Sequence, residues 1–174
     1  MIYYSDDDVT IRAMRREDAR TITDGERAQG WNASVQKYLA RLTDQEAGKS
    51  VALVAAYRGD VAGYVNVYLT QADGPFAGRG MPEIVDFGVL EKYRNRGIGT
   101  RLMDAAEAIA AGFGDTVCLG VGLHGGYGSA QRMYVKRGYV PDGTGVWYRD
   151  AVCEPYGECR NDDDLVLYLS KKLF

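Results

Sequence analysis

The chain has little of what metal and nucleophilic chemistry usually needs. It carries one histidine, His124, and three cysteines, Cys118, Cys153 and Cys159, with no Cys-x-x-Cys pair. Zinc sites are built from several thiolate or imidazole ligands, so no metal is expected. An odd cysteine count without framework spacing reads as free thiols in a reducing compartment, the cytoplasm. No apolar run approaches membrane-spanning length, and the opening Met-Ile-Tyr-Tyr-Ser-Asp-Asp-Asp does not read as a signal peptide. Basic residues are not in excess: 21 Lys and Arg stand against 24 Asp and Glu, a net charge of −3, which argues against a nucleic-acid face. No internal repeat or low-complexity tract is visible. The 174 residues suit one α/β domain spanning 1–174 and leave no room for two.

What the chain does have is a basic, glycine-containing loop. Val89-Leu90-Glu91-Lys92-Tyr93-Arg94-Asn95-Arg96-Gly97-Ile98-Gly99-Thr100 runs from an apolar strand into an amphipathic helix on which Leu102, Met103, Ala106, Ile109 and Ala110 share a face. A helix start offers unpaired N–H groups and the positive end of the helix dipole. Glycines allow a large anion to approach those groups closely. Arg94, Arg96 and Arg101 add charge beside them. The segment reads as a phosphate cradle. It is not a Walker loop, because Gly99 is followed by Thr100-Arg101 rather than Lys-Ser/Thr. Nor is it a dinucleotide fingerprint, whose third glycine would fall at Leu102.

The remaining pattern is that of an α/β chain. Thr10–Met14 reads as a strand and Arg16-Glu17-Asp18-Ala19 as a helix opening. A second helix is expected over 33–45, with Val35, Leu39 and Leu42 at helical spacing and Asn32 as cap. Two β-rich runs, 50–57 and 61–69, are joined at Arg58-Gly59-Asp60 as a hairpin. A glycine-rich loop over 70–81 precedes the strand 83–90 that feeds the cradle, whose helix ends near Gly112 and Gly114. A strand over 117–123, a helix over 129–137 stopped by Gly138, and strands over 144–149 and 165–170 complete the chain.

Four features together resemble the GCN5-related N-acetyltransferases, the GNAT family. Arg94-x-x-Gly97-x-Gly99 after a strand resembles the acetyl-CoA signature. Ala130-Gln131-Arg132-Met133-Tyr134-Val135-Lys136-Arg137-Gly138-Tyr139 resembles the family run Ala-x-x-Leu-Tyr-x-x-x-Gly-Phe. Ile11-Arg12 with Asp18-Ala19 resembles a common opening, and the order β-α-α-β-β-β-α-β-α-β-β matches the family order. The resemblance implies the GNAT acyl-CoA N-acyltransferase fold, a mixed, mostly antiparallel central sheet flanked by helices. It implies acetyl-CoA as co-substrate and direct acetyl transfer to an amine of a small molecule. A peptide or protein amine and a non-catalytic acyl-CoA-binding module are the alternatives. Homodimers occur in the family.

Carried over residue by residue, the resemblance assigns coenzyme contacts to Phe87, Val89, Arg94, Asn95, Arg96, Gly97, Ile98, Gly99, Thr100, Ser129 and Arg132. The Val89 N–H is the implied oxyanion donor, and Tyr134 the implied acid that protonates the leaving thiolate. Glu83, eleven residues before Arg94, stands at the offset of the catalytic glutamate in the family's histone acetyltransferases. It is the first candidate base, with Asp86 the second. Strict strand alternation groups Glu83, Val85, Phe87 and Val89 on one face and turns Asp86 to the other, unless a bulge intervenes. Where relatives often carry an asparagine, this chain has Tyr127, so the loop itself, Ser129 or His124 is expected to make that polar contact. Trp31, Tyr38, Phe76, Trp147, Tyr148 and Tyr156 are candidate acceptor linings. The acids Asp150, Glu154, Glu158 and Asp162 to Asp164 suit a cationic acceptor.

Overall fold

The computed structural model describes residues Met1–Phe174. The elements follow the order β1 (Ile2–Ser5), β2 (Val9–Ala13), α1 (Arg16–Ala28), α2 (Val35–Glu46), β3 (Ser50–Tyr57), β4 (Asp60–Tyr68), β5 (Glu83–Val89), α3 (Ile98–Ala110), β6 (Thr116–Gly122), α4 (Gly128–Lys136), β7 (Val140–Tyr148), β8 (Ala151–Val152) and β9 (Leu165–Lys172). The strands form one sheet in the order β1-β2-β3-β4-β5-β6-β9-β7-β8. Only β5 and β6 pair in parallel; the other neighbours are antiparallel. This is the expected mixed sheet flanked by helices.

Local chemistry accounts for most boundaries. Arg58 and Gly59 both take positive φ, 50° and 94°, the geometry that a two-residue hairpin turn demands. Arg12 grips Asp18 with two bonds, at 2.7 and 2.8 Å, while Asp18 accepts the Arg15 N–H at 2.7 Å and so caps α1. The second helix starts at Val35, two residues later than its apolar spacing suggests. Ser34, not Asn32, caps it by accepting the Gln36 N–H. Three strand segments go beyond the sequence pattern: β1, β8 and the first half of β7, which begins at Val140 rather than at Thr144 and is interrupted between Pro141 and Val146.

Two apolar layers clamp the sheet. α1 and α2 cover one face, with Ala19, Ile22, Tyr38 and Leu42 packed on Ala52, Val54 and Tyr64. α3 covers the other, where Leu102, Met103 and Ala106 meet Val65, Val67, Ile84 and Leu119. Burial on both faces explains why β3 and β4 read as nearly continuous apolar runs. α4 joins the α3 layer through Tyr134, which is buried against it.

A bulge in β5 corrects the expected facing of Asp86. Tyr64 pairs with Gly88 and Asn66 with Val85, so two steps along β4 oppose three along β5. Asp86 takes the left-handed φ of 53° at this point, a conformation that aspartate tolerates better than most residues. The extra residue turns Asp86 to the α2 face, on the same side as Glu83. Phe87 and Val89 face α3, whose Gly99 they contact. Gly88 lies back under Tyr64, where a Cβ would come within 2.6 Å of the tyrosine hydroxyl.

An ion network ties α4 to the rest. Arg137, just past α4, donates to Glu107 at 2.8 Å and Asp104 at 2.7 Å on α3, and Lys171 of β9 donates to Glu107 at 2.6 Å. Burial alone would raise the Glu107 pKa, yet its two cationic partners hold it below the usual value. A depressed carboxylate contributes stability above its unfolded pKa of about 4.3 and loses it as pH falls through the folded value. Glu107→Gln is therefore expected to lower unfolding free energy by about 2 kcal/mol at pH 7. In urea melts, the gap to the unmutated chain should close as pH drops below about 4.

Candidate active site

The decisive geometry is a gap in the sheet. β5 and β6 pair at only two positions, Glu83 with Cys118 and Ile84 with Leu119. Beyond them β6 stays with β9 while the bulged β5 follows β4, and the two strands part. Backbone groups of β5 after Ile84 thus have no β6 partner. Leu90 N–H donates to Ala62 C=O at 2.9 Å. Successive strand N–H groups point to opposite sides, so the Val89 N–H points away from β4, into the gap.

α3 starts where this gap ends. Gly97 caps it in the left-handed conformation, φ 72°, with no side-chain cap, so the first-turn N–H groups stay available to an anion. Ile98 is buried and anchors the turn, while Asn95, Arg96, Gly97 and Thr100 are exposed around it. Gly99 lies so close to β5 that a Cβ would meet Phe87 Cζ at 3.1 Å. Arg96 stacks on the Tyr57 ring, its guanidinium 4.9 Å from the centroid. Arg94 instead lies over Trp31 at 5.7 Å and donates to the Val89 carbonyl at 3.3 Å. It fixes the loop as well as charging it.

α4 closes the far side of the gap. The Tyr134 ring lies 6.3 Å from Phe87 and 5.7 Å from Tyr139. Burial raises its hydroxyl pKa, and no charge or hydrogen bond contributes to that shift. Ser129 and Arg132 are exposed on α4. Gln131, which sequence reasoning did not single out, donates to the Gly122 carbonyl at 2.8 Å and ties α4 to the end of β6. Tyr127 fills the place of the family asparagine differently. Its ring packs over Gly122, where a Cβ would fall 2.3 Å from it, and its hydroxyl donates to Asp163 at 2.8 Å. His124 Nδ1 accepts the Gly126 N–H at 3.1 Å, which leaves Nε2 to donate to Asp163 at 3.0 Å. These three residues form a tie between loops.

A cradle with free N–H groups, a gap bordered by unpaired backbone and a buried tyrosine beside it fit the phosphates, the pantetheine arm and the thioester of acetyl-CoA. The family model for acetyltransferase (GNAT) matches residues 13–139. The chain belongs to the GNAT family. It is an acetyltransferase with acetyl-CoA as co-substrate. Among solved structures, yncA of Salmonella typhimurium, determined with acetyl-CoA, is 19% identical with TM-score 0.67, covering 97% of this chain and 95% of its own. Ard1 of Thermoplasma volcanium is 20% identical with TM-score 0.68, covering 95% and 98%. The Salmonella typhimurium acetyltransferase that modifies the N-terminal serine of ribosomal protein L7/L12 is 10% identical with TM-score 0.71, covering 99% of each chain. At these identities the likeness is one of fold. No curated protein matches the chain in sequence.

On the α2 face this GNAT chain gathers charged groups. Glu83 accepts from Gln71 Nε2 at 2.8 Å. Burial raises its pKa, opposed by Gln71 and Arg41 and reinforced by Asp73 and Asp150. Asp86 is held by Lys37 at 3.0 Å and by Arg41 at 2.5 Å. Arg41 also donates to the Tyr68 hydroxyl at 2.6 Å, and that hydroxyl donates to Asp44. Beneath them Asn66, 2% exposed, has no protein partner for either amide atom.

Several expected linings lie elsewhere. Tyr38 and Phe76 are core residues, and Tyr156 projects fully into solvent. Asp162, Asp163 and Asp164 are engaged by Tyr148, by His124 and Tyr127, and by Arg149, so the acidic run is a set of loop ties rather than a free charged wall. Gly97→Val would strain the left-handed cap and crowd the cradle. It is expected to weaken acetyl-CoA binding at least about tenfold by calorimetry; unaltered affinity would refute the cradle.

Proposed function

We propose that this enzyme transfers the acetyl group of acetyl-CoA to an amine of a small molecule, by direct attack in a ternary complex. Glu83 takes the amine proton and Tyr134 protonates the departing thiolate. The observation that carries this reading is the β5–β6 gap, with Tyr134 bordering it on the α4 side and Glu83 at its base on the opposite face of β5.

Distances along β5 shape the chemistry. Val89 lies six steps along the strand from Glu83, at most roughly 20 Å at about 3.3 Å per step. A base at Glu83 and an oxyanion donor at Val89 do not touch one reacting centre, so the proton reaches Glu83 through ordered water. The raised pKa of Glu83 suits a proton acceptor. Asp86 is the weaker candidate, because Lys37 and Arg41 already engage its carboxylate. Its part in this scheme is to dock α2 on the bulge. The N–H groups facing the gap between the bulge and Val89 then steady the developing oxyanion, an effect of a few kcal/mol in such sites.

A small acceptor is favoured by the 70–82 loop. Phe76 packs against Cys118 and Tyr168. Gln71, 1% exposed, accepts the Phe76 N–H at 2.8 Å while donating to Glu83. The loop therefore closes the face beside Glu83, where a peptide groove would need to continue. Asp73 and Asp150 add negative charge around Glu83, which suits an acceptor with a second cationic group.

Three measurements test this reading. Acetyl-CoA-dependent thiol release across polyamines, amino acids, aminoglycosides and short peptides should respond to a small amine; turnover with peptides alone would overturn the acceptor class, and binding without turnover would favour an acyl-CoA-binding module. Tyr134→Phe should lower kcat by about 100-fold with less than about a twofold change in acetyl-CoA affinity; equal losses in both would make Tyr134 a packing residue. The rate should rise with pH through a pKa above the ordinary glutamate range, and Glu83→Gln should remove that limb.

A further inference from the structure

The strand β1 and the acidic turn after it have no part in the reaction just described, yet they reach the coenzyme cradle. Asp6, Asp7 and Asp8 form the tip of the β1–β2 hairpin. Asp8 pairs with Arg58 at 2.7 Å. Asp6 turns the other way, toward the start of α3. There Arg101 donates through Nη2 to Asp6 at 2.9 Å and through Nε to Asp6 at 3.1 Å and to the Tyr4 hydroxyl at 3.0 Å. Tyr4 in turn donates to Asp6 at 2.6 Å. The three side chains close a small ring, and the Tyr4 ring lies 5.5 Å from the guanidinium carbon.

This ring uses one edge of the guanidinium and leaves the other. Nη1 takes no part in these bonds and stands only 2.5 Å from where a Cβ on Gly97 would lie. Gly97 is the cap of α3, so the unused edge is held beside the start of the helix, at the margin of the cradle. A planar guanidinium fixed along its Nε–Nη2 edge can aim its remaining N–H groups at one place, which a lysine ammonium cannot do. A cavity of about 410 Å³ lies beside it, lined by Asp6 to Asp8, Val9, Tyr57, Arg96 and Arg101.

We infer that Arg101 is a phosphate-binding residue of the coenzyme site, and that Tyr4 and Asp6 are positioning residues that aim its free edge into the cradle. The inference rests on the acetyl-CoA reading of the cradle and adds the N-terminal hairpin to it. Without the hairpin, Arg101 would be a mobile side chain that loses rotamer freedom each time it grips a phosphate. The hairpin restricts that freedom before the ligand arrives. Asp6 thus strengthens anion binding although it is itself an anion, because it holds the fork that receives one.

The test compares acetyl-CoA with acetyl-pantetheine, which carries the thioester but no phosphate. Arg101→Gln is expected to raise the Kd for acetyl-CoA about tenfold by calorimetry, the loss of one charge-assisted contact. Asp6→Asn and Arg101→Lys should each raise it about threefold, since each disturbs the fork while keeping a donor. The kcat/KM for acetyl-pantetheine should stay within about twofold of the unmutated enzyme in all three. Unchanged acetyl-CoA affinity in Arg101→Gln, tighter binding in Asp6→Asn, or equal losses with both thioesters would each overturn the proposal. Failure of the unmutated enzyme to bind acetyl-CoA would instead overturn the cradle reading itself.

Discussion

The structure depends on one local irregularity, the extra residue in β5 at Asp86. A regular strand would stay paired with β4 on one side and β6 on the other, leaving no backbone free. The bulge bends β5 with β4, and β6 leaves after two pairings. The open wedge exposes the Val89 N–H and lets α3 begin beside it. The same bulge turns Asp86 toward α2, where Lys37 and Arg41 meet it. One backbone conformation therefore opens the gap between β5 and β6 and fastens α2 to the strand.

Much of this was legible in the sequence where the determinants are local. The cradle is written in consecutive residues, since a left-handed cap needs Gly97 and close packing of α3 on Phe87 needs Gly99. Periodicity located α3 and α4 because each buries one stripe on the sheet. The side of β5 that Asp86 faces was not legible. Alternation predicts the opposite, and nothing in Glu-Ile-Val-Asp-Phe-Gly-Val announces the left-handed φ of 53°. β1 was missed because four residues ending in an acidic turn carry no periodic signal; its pairing with β2 makes it a strand. Arg101 was visible as charge near the cradle. Its orientation depends on Asp6, 95 residues away along the chain, and no spacing rule spans that interval.

The departures from family pattern also have physical reasons. Tyr127, in place of a small polar residue, is accommodated because Gly122 leaves room for its ring. Asp163 then satisfies both Tyr127 and His124, and that bonding holds the Asp163 pKa below the usual carboxylate value. The lone histidine thus ties the β6–α4 turn to the loop before β9. Asn66 is the converse case, a buried amide with neither atom paired to protein. Buried polar groups of this kind are commonly completed by ordered water, and this one lies under α2 beside the bulge.

The ends of the sheet carry a consequence of a different sort. The outermost strands are β1, four residues long, and β8, two residues long. A sheet of nine strands with long edges would offer two templates for joining neighbouring molecules. Here each edge presents only a few unpaired backbone groups, and the acidic turn after β1 sets like charges at one of them. The terminal strands thus act as blunt stops against growth of the sheet from molecule to molecule.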